Sequence, residues 1–242
     1  MLQDLGGRAL VSSRGSAYAM LDSVDAILFD LDGTLVDTIP LIFACYEHTL
    51  GVHLPGYHPG REAIVRNLGR SLDLILRDFA ADAGTMDPAG RAALMLDTYR
   101  GFQRRNLARL IRPYDGMREA LQALQARGLT LGLVTSKVEW AARECLDCYD
   151  LGRFLSVFVF HDDTVRHKPD PEPLLVAARK GNLAPARTLY VGDSIHDMAA
   201  GCAAGMRTVA ALWGPSRREA LIQAGAHALA GQPADLLAVV CP

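Results

Sequence analysis

The stretch Ala26-Ile27-Leu28-Phe29-Asp30-Leu31-Asp32-Gly33-Thr34 decides how the rest of this chain is read. Four consecutive apolar residues closed by Asp-x-Asp-Gly read as a buried strand that runs into a tight loop. Two carboxylates at one strand end raise each other's pKa. Such a pair is either held by a cation or divided, one member ionised and the other protonated. Asp30 is therefore a candidate nucleophile and metal ligand, and Asp32 a candidate general acid–base. Gly33 allows the backbone to turn sharply, and Thr34 offers a hydroxyl and an N–H to an anion. An Asp-rich turn between a strand and a helix would leave the same residues, so the pair alone does not choose.

Three further signals lie downstream. Thr135 follows the apolar run Leu131-Gly132-Leu133-Val134, Lys168 sits in His167-Lys168-Pro169-Asp170-Pro171, and Asp193 in Gly192-Asp193-Ser194-Ile195-His196-Asp197 follows Leu189-Tyr190-Val191. The Asp pair, Thr135 and Asp193 each close a predicted strand, and Lys168 lies just beyond another, Val157–Phe160. In a parallel sheet such ends share one edge, where ligands bind. Nucleophile, acid–base, hydroxyl donor, cation and further carboxylate suit phosphoryl transfer, which depends on positioning and charge neutralisation.

These four motifs, in this order across residues 26–197, resemble the signatures of the haloacid dehalogenase-like hydrolases. The resemblance implies that Asp30 attacks phosphorus to form an aspartyl-phosphate. Asp32 would protonate the leaving oxygen and later deprotonate the hydrolytic water. Thr135 and Ser136 would bind phosphoryl oxygens, and Lys168 would balance charge. Mg²⁺ would be held by Asp30, by the Asp32 backbone carbonyl and by Asp193; all-oxygen ligation suits that ion. Asp197 is expected to orient Lys168 or a water on the metal rather than ligate directly. Ser194 reads as a helix N-cap. Dehalogenating members lack an acid at the Asp32 position, so its presence implies a phosphate ester or anhydride.

The run from Asp162 to Pro173, Lys137 after Thr135-Ser136, and Ala211-Leu212-Trp213-Gly214 are most similar to the phosphoglycolate phosphatases and the related pyrophosphatases. Ser136 stands where Asn is commoner in that group. The resemblance thus implies a Mg²⁺-dependent phosphatase for a small anionic phosphorylated metabolite, 2-phosphoglycolate first and pyrophosphate as the alternative. A sugar phosphomutase shares the same Asp pair. A phosphate-sensing module without turnover would not require an acid–base beside a nucleophile.

Helix-period apolar spacing fills 38–112, with breaks at Pro55-Gly56, Pro59-Gly60 and Asp87-Pro88-Ala89-Gly90. From Arg112-Pro113-Tyr114-Asp115-Gly116 onward strands alternate with helices: strands over 129–135, 156–160, 187–192 and 207–212, helices over 116–127, 138–149, 171–180, 197–204 and 216–224. Such alternation predicts an α/β fold, a doubly wound parallel Rossmann-like sheet with an inserted helical cap subdomain. The expected division is a core of 21–37 and 113–242, a cap of 38–112, and a disordered extension over 1–20. Ala199-Ala200-Gly201-Cys202-Ala203-Ala204-Gly205 predicts a slim helix close to the sheet. Leu68-Gly69-Arg70-Ser71-Leu72 falls between helical segments, where capped members of the family turn a loop toward the site. Arg70 there reads either as an exposed helix-cap residue or as a bidentate partner for a second anionic group. Arg104, Arg105 and Arg109 read as a solvated face.

Half of the 242 residues are hydrophobic, enough for a sizeable core, and the net charge of −2 offers no basic footprint for nucleic acid or an anionic membrane. The apolar stretches before Leu21 are too short for a signal peptide core or a membrane span. Cys45, Cys145, Cys148, Cys202 and Cys241 form no even framework, and Cys145-Leu146-Asp147-Cys148 has no second pair for zinc. A cytoplasmic monomer or homodimer is expected. With three lysines against 22 arginines, a lysine can mark a place that needs a compact ammonium. Lys168 suits that use, Lys180 reads as a surface residue, and Lys137 reads equally as a helix start or as the rim of the phosphate site.

Overall fold

In the computed structural model, residues 24–240 are described, together with two short strands, β1 (Ala9–Val11) and β2 (Ala17–Ala19), which pair antiparallel. The expected disordered extension over 1–20 otherwise lies outside the described residues.

The core is a six-stranded sheet in which every neighbouring pair is parallel. Its strands are β3 (Ala26–Phe29), β6 (Thr130–Val134), β7 (Val157–Val159), β8 (Thr188–Gly192), β9 (Arg207–Ala211) and β10 (Ala228–Ala230), in the spatial order β10-β9-β8-β3-β6-β7. All four residues of β3 are fully buried, because the central strand of such a sheet is covered on both faces. This is why the first strand shows an unbroken apolar run instead of alternation. Leu28 packs toward α7 (Glu172–Gly181) and α8 (Ile195–Ala203), through Leu174, Ala177 and Ala200. Ile27 and Phe29 face the opposite layer, with Leu121 and Leu124 of α5 (Met117–Ala126), Cys145 of α6 (Glu139–Asp147) and Val239 of α10 (Leu236–Val239). Helix α9 (Arg218–Gln223) buries Leu221 against Met198 and Leu229.

Small residues set the spacing in two places. A Cβ on Gly201 would lie 2.3 Å from Thr208 Cγ2, so the slim α8 approaches β9 as the sequence predicts. A Cβ on Gly132 would lie 2.7 Å from Leu28 Cδ2 and 3.0 Å from the Val157 carbonyl, so β6 admits no side chain there.

Between β3 and β6 the chain leaves the sheet. Strand β4 (Val36–Asp37) pairs antiparallel with β5 (Arg112–Pro113), so the outgoing and returning segments cross side by side. Neither strand is legible in the sequence, since two-residue pairings carry no periodicity. The insert they bracket holds α1 (Ile39–His53), α2 (Arg61–Asn67), α3 (Leu72–Asp82) and α4 (Pro88–Leu110). Its core is aromatic: Tyr46 meets Phe79 and Tyr99 edge to face, with ring centroids 5.7 and 5.2 Å apart. The strand β10 and the helix α10 at the end of the chain also escaped the sequence reading, being only three and four residues long.

Gly132→Ala is expected to lower stability by about 1–3 kcal/mol, because backbone and a packed Leu must give way. Urea denaturation checks this, and an unchanged midpoint would mean that β6 and β7 can separate at little cost.

Candidate active site

Strand register assembles the site. Phe29 pairs with Leu133 on one side and Val191 on the other, so Asp30-Leu31-Asp32, Thr135 and Asp193 leave the same edge of the sheet. The Asp30 N–H still donates to the Val191 carbonyl at 2.9 Å, and the Thr135 N–H to Val159 at 3.0 Å. Lys168 arrives from the segment after β7 and is almost wholly buried.

Its ammonium is the centre of a dense network. Lys168 Nζ donates to Asp30 Oδ1 at 2.7 Å, Asp197 Oδ1 at 2.6 Å and the Tyr190 hydroxyl at 3.0 Å. Asp197 has both oxygens occupied. Oδ1 also accepts from Tyr190, and Oδ2 accepts from the N–H and hydroxyl of Ser194, which in turn caps α8. Asp197 thus orients Lys168 and has little left to offer a ligand, which is the positioning part the sequence assigned to it. Tyr190 was not singled out by the sequence; buried in mid-strand it resembles any core aromatic.

Burial pushes the Asp30 carboxyl up to about 7; Lys168 pulls it down, and Asp197 and Asp32 push it further up. Burial likewise raises Asp193 well above the usual carboxylate range, with Asp197 and Asp30 adding to it. At Asp197 burial also acts upward, but the Lys168 ammonium outweighs it and holds the group below its ordinary value. One ammonium therefore cannot satisfy three buried carboxylates, and it serves Asp197 best.

Carboxyl oxygens of Asp30, Asp193 and Asp197 lie within 4.8 Å of one another. Asp193 Oδ1 accepts from Thr34 at 3.0 Å, whereas its buried Oδ2 has no hydrogen-bond partner among the described residues. Glycines leave room around that oxygen. A Cβ on Gly33, where φ is +83°, would lie 2.5 Å from it, and one on Gly214 would lie 2.9 Å away. An orphaned carboxylate oxygen, excess buried negative charge and hard oxygen donors fit a divalent cation. The residues that would hold it are Asp30 and Asp193.

The Asp32 side chain faces away from this cluster. Its Oδ1 accepts from Thr38 at 2.6 Å and lies 3.1 Å from Lys137 Nζ. Lys137 is consequently part of the site rather than a surface helix start, whereas Lys180 pairs with Asp163 at the surface. Thr135 Oγ1 accepts from the Lys137 N–H at 3.2 Å, which leaves its hydroxyl proton available to a ligand.

Both Asp residues, Thr135, Ser136 and Lys137 line an open cavity of about 330 Å³, whose other wall is the helical insert. Two of the residues expected at the site have partners in the insert. The Ser136 hydroxyl donates to the Gly69 carbonyl at 2.6 Å, so it joins core to insert while lining the cavity. Arg70 lines the cavity, but its guanidinium is held by Asn67 and, at 2.8 Å, by Asp78. Gly69 at φ +86° brings its loop against the core, where a Cβ would stand 2.6 Å from Ser194 Oγ. Arg104 stacks over Trp140 at 4.3 Å, and Arg109 bonds Asn106. Gln103, buried inside the insert, was overlooked. Its signal was legible: it belongs to the stripe Ala92, Met95, Tyr99, Gln103, Leu107, where an amide is out of place.

Comparison with known proteins agrees with this geometry. The profile of the haloacid dehalogenase-like hydrolases matches residues 27–211. The pyrophosphatase PpaX of Bacillus pumilus is 36% identical over 218 residues, which cover 90% of this chain and 97% of that protein. A Thermotoga maritima structure assigned as a β-phosphoglucomutase superposes with a TM-score of 0.68 at 28% identity, covering 89% of this chain and 98% of that one. A structure described as a predicted phosphoglycolate phosphatase of Haemophilus somnus reaches a TM-score of 0.77 at 24% identity, over 89% and 97% of the two chains, a likeness of fold. No described helix is long and apolar enough to cross a membrane.

Adding Mg²⁺ to the metal-free protein is expected to raise its melting temperature, by about 2.7 kcal/mol of stabilisation at roughly 100 times Kd. Asp193→Asn should abolish the shift. The shift should be larger near about pH 8 than near about pH 5, because carboxyls that bind the cation must first lose their protons. Differential scanning calorimetry at the two pH values measures it.

Proposed function

Because the chain belongs to the haloacid dehalogenase-like hydrolase family and is a phosphatase of that family, we propose that it is Mg²⁺-dependent and hydrolyses a small anionic phosphate. Inorganic pyrophosphate ranks first, on the strength of the PpaX relative. 2-Phosphoglycolate, favoured by the motif resemblance, ranks second. The observation that carries the reading is Asp30: a buried carboxylate beside Lys168 and an Asp193 oxygen without a partner among the described residues, at the floor of a cavity between sheet edge and insert.

The Asp30 carboxylate attacks phosphorus in line, and the bond from phosphorus to the leaving oxygen breaks as the aspartyl-phosphate forms. Asp32, in the same cavity lining and fixed by Thr38 and Lys137, gives its proton to the leaving oxygen. The same carboxylate then takes a proton from the water that hydrolyses the aspartyl-phosphate, so phosphate is released and Asp30 regenerated. Thr135 donates its free hydroxyl proton to a phosphoryl oxygen. Lys168, held by Asp197 and Tyr190, offsets negative charge on Asp30 and the transferring group. When bound, Mg²⁺ supplies further neutralisation of charge between the Asp30 carboxylate and the phosphoryl oxygens. The insert over the cavity keeps bulk water from the reacting centre.

Phosphate release from pyrophosphate, 2-phosphoglycolate and sugar phosphates, with and without Mg²⁺, tests the reading. Asp30→Asn should eliminate turnover. Asp32→Asn should lower kcat by about 100- to 10,000-fold, the usual worth of a general acid–base. Sugar-phosphate isomerisation without net phosphate release would move the assignment to a mutase.

A further inference from the structure

The cavity has a second end, formed by α4, and the groups there have no partners. Gln103 is only 4% exposed, lines the cavity and makes no hydrogen bond with any described residue. Arg100, one helical turn before it on the same face, also lines the cavity and has no ion pair, hydrogen bond or ring contact among the described residues. The other cations lining the cavity, Lys137 and Arg70, are committed: Lys137 lies against Asp32, and Arg70 is held by Asp78 and Asn67. Asp73, which also lines it, keeps its charge and accepts from the Ser71 hydroxyl. Arg100 is thus a cation without a partner among the described residues, and it stands beside an amide that water or a ligand must satisfy.

We propose that Arg100 and Gln103 form an anion subsite that receives the second charged group of the substrate, while the phosphoryl group being transferred lies at Asp30. A guanidinium and an amide N–H on one helix face present several donors to two oxygens, the arrangement that carboxylates and phosphates accept best. A cavity of about 330 Å³ admits a small substrate whose leaving group carries its charge within a few atoms of phosphorus. Pyrophosphate and 2-phosphoglycolate both meet that description; bulky or uncharged leaving groups do not. Selectivity is thus located on α4 rather than at Arg70. This inference rests on the phosphatase reading of the Asp30 end.

The test compares 2-phosphoglycolate and pyrophosphate with 2-hydroxyethyl phosphate, which replaces the carboxylate by a neutral alcohol. Arg100→Met should lower kcat/KM for the two charged substrates by about 10- to 100-fold, mainly through KM, the worth of a charge-assisted contact. Hydrolysis of 2-hydroxyethyl phosphate should be unchanged. Arg100→Lys should recover part of the loss, and the near-isosteric Gln103→Glu should penalise the charged substrates alone. Equal losses on all three substrates, or none on any, would overturn the subsite. So would a wild-type enzyme that hydrolyses 2-hydroxyethyl phosphate as well as the charged pair, an outcome that leaves the phosphatase reading intact. If wild type hydrolyses none of them, the substrate reading fails, and calorimetric titration of pyrophosphate into Asp30→Asn with Mg²⁺ decides the subsite. Binding that Arg100→Met weakens in that background supports it, and no binding, or binding that Arg100→Met leaves unchanged, overturns it.

Discussion

A single buried ammonium set against three buried carboxylates organises this molecule. Lys168 can reach Asp30 and Asp197 together, and Tyr190 and Ser194 complete the coordination of Asp197. Among the described residues, Asp193 receives only Thr34. Burying charge is costly unless it is paired, so the imbalance makes the unbound site a poor resting state for the ionised acids. The same imbalance makes the site receptive to a divalent cation and then to a phosphoryl group. Affinity for the ion and reactivity of Asp30 have one source, the excess of carboxylate over ammonium in a space that excludes water.

The sheet keeps that arrangement rigid. Asp30, Thr135 and Asp193 sit where parallel strands end; the first two are tied to the neighbouring strands by main-chain bonds, and Asp193 by the Thr34 hydroxyl. The insert meets the core through an apolar cluster continuous with the sheet's own, through Arg104 over Trp140, and through polar contacts: the Ser136 hydroxyl on the Gly69 carbonyl, His196 on the Arg66 carbonyl at 3.0 Å, and Arg217 with Glu62 at 2.7 Å. The last of these is exposed and contributes little on its own. Two short strands, β4 and β5, join the insert to the core.

Legibility varied in a way that follows from physics. Asp30 and Asp193 declared themselves because each closes an apolar strand, and a carboxylate directly after such a run has few structural uses. Lys168 declared itself through its motif, and the scarcity of lysine pointed to the same residue. Ser136 was expected at the phosphate from the motif resemblance, and Arg70 was left open between an exposed cap and an anion partner; Gly69 and Asp78, both in the insert, claim their side chains. Those competitors are more than 60 residues from Ser136 and eight from Arg70, and no local pattern announces them. Gln103 lay in plain view as a polar member of an apolar stripe, but only the cavity beside it distinguishes a functional amide from a satisfied core residue.

What the sequence determined by itself was the type of the longer elements and the chemistry at the strand ends. Both are local properties: hydrophobic period fixes helix or strand, and the residue after a buried run fixes what is presented at the edge. Tertiary structure decided which charges neutralise which. Lys168 could have served Asp30 alone, Lys137 could have pointed to solvent, and the Arg70 guanidinium could have been left without Asp78. Each outcome depends on distances of a few ångströms between residues far apart in the chain. Because electrostatic energy in a buried site varies steeply with distance and desolvation, only the folded arrangement assigns the partners.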